Sequence, residues 1–106
     1  MSWLYLAVAG GCEVAFTAFL KYSEGFTRVG PTLAFIAAYA ASAWFLALAI
    51  KTIPIGTAYA VWTGIGAVGA TILGVALFAE PASAARFGFV ALIVIGVIGL
   101  RLVSQT

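Results

Sequence analysis

In the stretch AVAGGCEVAF, residues 7–16, a single carboxylate, Glu13, interrupts a largely apolar run from Trp3 to Leu20. An ionised side chain at membrane depth costs about 2.5–3.5 kcal/mol on insertion scales, so an acid buried there marks function by default. The competing reading is a structural acid hydrogen-bonded inside a helical bundle. All five basic residues, Lys21, Arg28, Lys51, Arg86 and Arg101, fall at the ends of apolar segments or between them. The counter-ion of Glu13 must then come from outside the chain, as a proton, a metal ion or an organic cation.

Residues three and four apart share a helix face, which groups Glu13 with Ala9, Gly10, Phe16 and Thr17. The small residues Ala9 and Gly10 are read as leaving room beside the acid. In the second apolar segment, AAYAASAWF (37–45), Ser42 is the one hydroxyl near mid-membrane that can reach a carboxylate; ordinary serine-mediated helix packing is the alternative. In the third, GTAYAVWTGIGAVG (56–69), Tyr59, Trp62, Thr63 and Gly66 form one stripe. A phenol, an indole face and bendable backbone suit an organic cation, whereas interfacial anchoring is the other common use of Tyr and Trp.

The elements that position these residues follow from composition. With 106 residues, 65% hydrophobic and 8% charged, the chain lacks the polar surface to cover a water-soluble globule. Four stretches match the roughly 20 apolar residues that span a bilayer: residues 3–22, 32–50, 56–79 and 86–103. They form a single four-helix transmembrane domain over 1–106. The links between them are too short for a nucleotide-binding or soluble catalytic domain. Pro31 and Pro54 are placed at helix starts, Glu80-Pro81 at a helix stop, and Ser83 at the cap of the fourth helix.

A lone cysteine and no histidine leave no ligand set for a transition metal, and Cys12 is read as a small packing residue. No basic region precedes Trp3, so the first segment is expected to be a permanent span rather than a signal peptide. Four helices with short links alternate in direction, which puts both termini on one side. Lys51 and Arg101 then face Lys21, Arg28 and Arg86 across the membrane. With the terminal amine counted, that is nearly balanced and allows insertion both ways. Transporters commonly set their site between halves of inverted topology, and this chain has no internal repeat. Two oppositely inserted copies would supply the missing half.

Those residues carry a family resemblance. Over essentially its whole length the chain resembles the small multidrug resistance family of bacterial proton-coupled exporters, four-helix proteins that work as antiparallel, dual-topology homodimers. The matching pieces are Glu13, KYSEGFTR (21–28), Ser42, IPIGTAYAVWTGIGAVG (53–69) and GVIGL (96–100). WTGIGAVG (62–69), FAEP (78–81) and Arg101 are similar to the guanidinium-exporter subtype rather than the quaternary-ammonium one. The resemblance implies an all-α protein of the bacterial inner membrane that binds no cofactor or nucleic acid and exchanges protons for a small organic cation. It implies that proton and substrate compete for Glu13 of each subunit, that Ser42 hydrogen-bonds Glu13, that Tyr59 gates the path and that Trp62 lines the site. Gly64 and Gly66 would bend the third helix. Gly88, Gly96 and Gly99 would bring the fourth helices of two subunits together.

Where guanidinium exporters usually carry a Trp after the acid, this chain has Phe16, which keeps an aromatic wall but donates no hydrogen bond. That opens the site to substituted guanidines or quaternary ammonium compounds. A non-transporting partner subunit of a heterodimer is a third possibility; the near balance of loop charges and the buried acid both argue against it.

Overall fold

The computed structural model describes residues 1–103, and these form four helices in the order α1 (Ser2–Tyr22), α2 (Val29–Ala49), α3 (Ile55–Leu77) and α4 (Ala84–Val103). All four are long and apolar enough to cross a membrane. Their residues are apolar on nearly every side, so most large side chains, such as Trp44, Phe89 and Ile95, face outward. Such exposure is ruinous in water and favourable in lipid.

Contacts at the helix ends fix the topology. Ser2 hydrogen-bonds Thr52 in the α2–α3 link, and the Arg101 guanidinium lies 4.7 Å from the centre of a Trp3 ring. Start of α1, α2–α3 link and end of α4 therefore share one end of the bundle. Tyr22 and Phe78 stack with centroids 5.1 Å apart at the other. The tight core, Leu6, Ala49, Ile53, Ala58 and Val61, sits toward the terminal end. α1 packs on both α2 and α3, while α4 packs on α3 and on no other helix backbone.

Helix bounds differ locally from the sequence expectation. α2 begins at Val29 rather than Thr32, with Pro31 inside its first turn, where a missing N–H costs no helical hydrogen bond. α3 ends at Leu77 rather than Ala79. Its stop is a left-handed residue, Ala79 at φ 56°, and the Phe78 and Glu80 amides both donate to the Gly74 carbonyl, at 3.1 and 3.0 Å. Ser83 accepts the Arg86 amide at 3.1 Å, as a cap of α4 should.

The α1–α2 link is organised by Ser23, which is fully buried. Its hydroxyl donates to the Leu20 carbonyl at 2.7 Å and accepts the Phe26 amide at 3.2 Å. Around it Glu24, Gly25 and Phe26 all adopt positive φ. The link is a folded cap on the bundle rather than a slack connection.

Candidate functional site

Glu13 lies on the α1 face that packs against α3. A β-carbon built at Gly66 would overlap the Glu13 carboxyl group, so the acid lies flat against bare α3 backbone. Glu13 Oε1 is buried and has no hydrogen-bond partner among the described residues. Leaving such an acceptor unsatisfied is costly, and the arrangement favours an incoming donor.

Ser42 differs from expectation. Its hydroxyl donates to the Ala9 carbonyl at 2.7 Å and accepts the Trp62 indole N–H at 2.8 Å; it does not bond the Glu13 carboxylate. The result is a three-helix tie, α2 to α1 and α3 to α2, one turn before the acid. The Ala9 carbonyl is also the acceptor that helical geometry assigns to the Glu13 amide. Ser42 thus holds the backbone that carries Glu13. A hydroxyl has one hydrogen to give, and a carbonyl of the packed helix took it.

Gly10 is a second correction. The space above it is filled, since an added β-carbon would stand 2.6 Å from Ile65 Cγ2, so Gly10 seats α3 on α1 rather than opening space of its own. Phe16 turns toward α2, edge-on to Phe35 at 5.7 Å and tilted on Tyr39 at 5.2 Å. Tyr59 is exposed on the surface of the single subunit, its ring 5.8 Å from that of Trp62.

The two glycines proposed to bend α3 meet different neighbours. Gly66 meets Glu13, and Gly64 faces α4, where an added β-carbon would be 2.6 Å from Val97 Cγ2. α3 runs through both as one helix. Gly88, Gly96 and Gly99 have open space above them, and no residue of α4 is buried. Sequence reasoning missed three contacts: Gly69 against Val14, Gly74 against Glu80, and Ser23 inside its loop. Residues five apart lie about 140° apart around a helix, so the spacing of Gly64, Gly69 and Gly74 offered no common face to read.

Four membrane-length helices define a multi-pass membrane protein, and between its α1 and α3 lies a half-buried carboxylate with one buried oxygen unpartnered among the described residues. The chain matches the model of the Small Multidrug Resistance protein family over residues 1–93, and it belongs to that family. Its relatives include proteins described as guanidinium exporters. That of Yersinia pestis is 53% identical over 104 residues, covering 98% of this chain and 100% of the relative. Those of Salmonella typhimurium and Escherichia coli K12 are 54% and 51% identical over 102 residues, each covering 96% of this chain and 97% of the relative.

Proposed function

We propose that this chain is a proton-coupled antiporter of the bacterial plasma membrane that exports guanidinium-type cations as an antiparallel, dual-topology homodimer, with proton and cation competing for Glu13 of each subunit. The observation that carries this reading is the buried Glu13 Oε1, which has no hydrogen-bond partner among the described residues. Guanidinium is planar, permanently charged and donates N–H bonds in a fork that suits a carboxylate. A proton satisfies the same oxygen. Two ligands that each neutralise one acid exclude one another, and a site that changes sides only when loaded couples their opposite movements.

Trp62, tied to Ser42, offers an indole face beside the path, and exposed Tyr59 is the gate. The hinge role falls to Gly64 and Gly66, since α4 and the acid rest on bare backbone there. Gly88, Gly96 and Gly99 stand uncovered on α4 and are where a partner helix approaches closely. The names of the relatives support guanidinium as substrate. In liposomes, guanidinium should evoke transport currents, and Glu13→Gln should abolish them while leaving the helical content intact; coupled transport by that variant would refute the mechanism.

A second reading, export of substituted guanidines or quaternary ammonium ions, is favoured by Phe16. Its ring joins Phe35 and Tyr39 in an aromatic wall and gives the acid no donor. Phe16→Trp should then narrow the range of cations giving currents, from guanidinium and tetrapropylammonium toward guanidinium. An unchanged profile removes Phe16 from the determinants of specificity.

A further inference from the structure

The backbones of α1 and α4 both pack on α3 and not on each other, so the two helices stand as walls of a trough floored by α3. Two almost wholly apolar cavities lie in it, of about 270 and 320 Å³, and they share Ile65, Val97 and Ile98, so one runs on into the other. Each wall keeps one face throughout. Trp3, Ala7 and Val14 line the trough from α1 and Val94, Ile98 and Arg101 from α4, and each set falls within about 40° of one line along its helix. Ala7 and Ile98 are also exposed, so the trough opens sideways on the surface of the subunit. From Trp3 to Val14 is about 16 Å at the helical rise of 1.5 Å per residue, half of a hydrocarbon core of about 30 Å. The trough therefore has the depth of one leaflet.

Its outer end carries the charge. Arg101 lies there over the Trp3 ring, 4.7 Å from the ring centre. A guanidinium stacked on an aromatic ring uses its face and keeps its edge N–H donors for an acceptor. The ion pairs among the described residues are Arg28–Glu24 and Arg86–Glu80, both at the opposite end. The third acidic side chain of the sequence, Glu13, lies deep in the seam between α1 and α3. The end that bears the start of α1 thus presents Lys51 and Arg101 with no acidic side chain to meet them. Tryptophan is enriched where hydrocarbon gives way to headgroups, and Trp3 at this end sets Arg101 at the level of lipid phosphates.

We propose that this trough is a binding site for an anionic glycerophospholipid, with one acyl chain between α1 and α4 and the phosphate on the Arg101 guanidinium. The planar fork of Arg101 matches a phosphate, and the leaflet-deep apolar trough takes the chain. Charge complementarity selects the headgroup. A zwitterionic lipid offers the same phosphate but brings a choline cation to an end that has no acidic side chain to receive it. The site lies on another face of α1 from Glu13 and stands whatever cation the protein carries.

The test is native mass spectrometry of the delipidated full-length protein, titrated with palmitoyl-oleoyl phosphatidylglycerol, the matching phosphatidylcholine, and inorganic phosphate. Phosphatidylglycerol should bind more tightly than phosphatidylcholine, and Arg101→Gln should weaken it about fivefold. Lys21→Gln, which removes a charge from the opposite end, should leave its binding unchanged. Ala7→Phe, which fills the trough from α1, should cut retention of phosphatidylglycerol. Equal binding of the two lipids overturns the proposal, as does an equal loss from Arg101→Gln and Lys21→Gln, which would mean attraction to net charge without a site. Displacement of the lipid by inorganic phosphate at matched concentration also overturns it. If Ala7→Phe separates subunits and leaves lipid retention unchanged, the trough holds a second copy of the chain and the lipid site is refuted.

Discussion

Position 66 has no room for a side chain, because the Glu13 carboxyl group already lies where a β-carbon would go. Gly66→Ala must therefore push the acid off α3 or part the helices, and overpacking of this kind costs about 1–3 kcal/mol. The expected outcome is a folded protein whose guanidinium currents fall at least tenfold, whereas Gly11→Ala, at a position with open space above it, should leave them unchanged. Equal currents from both variants would show that the contact does not fix the acid. At this scale the sequence was informative about residue types and poor about partners. Glu13 stood out because a charge in an apolar run is costly at membrane depth and marks function by default. The Ser42 partner was illegible, since helical spacing places a hydroxyl on a face but cannot say whether carbonyl or carboxylate receives its one hydrogen.

Helix length and apolarity made the four elements legible, because a membrane span must satisfy its backbone internally and is long enough to be unmistakable. Their ends were less so. Pro31 reads as a helix start but is tolerated throughout a first turn, so α2 extends back to Val29. The end of α3 depends on backbone geometry at Ala79, whose φ of 56° is ordinarily a glycine conformation. An L-residue there costs about 1–2 kcal/mol. Ala79→Gly should thus stabilise the protein by about 1 kcal/mol, after the greater chain entropy of glycine is deducted. Reversible unfolding in detergent measures it, and a loss of stability would mean that the Ala79 methyl makes a contact worth more than the strain. The change lies beyond the last turn of α3 and should leave transport intact.

For the molecule as a whole, insertion is set by Lys and Arg near the membrane ends, with acids counting little. Lys51 and Arg101 lie at the end bearing the terminus, as the Ser2–Thr52 and Trp3–Arg101 contacts require, and Lys21, Arg28 and Arg86 lie at the other. With the terminal amine the ends are matched, so a reporter fused to the C-terminus should be active on both sides of the membrane. Single charges should tip this balance in opposite directions. Lys51→Gln leaves the opposite end dominant and should drive the termini outward; Arg28→Gln, at an exposed residue whose ion pair with Glu24 is long at 3.9 Å, should draw them inward. In an antiparallel dimer each biased variant alone lacks its inverted partner, so each should lose most guanidinium transport, and co-expression of the two should restore it. Full transport by either variant inserted in one orientation would exclude the antiparallel dimer as the working unit, because the only partner left to it would be a parallel copy.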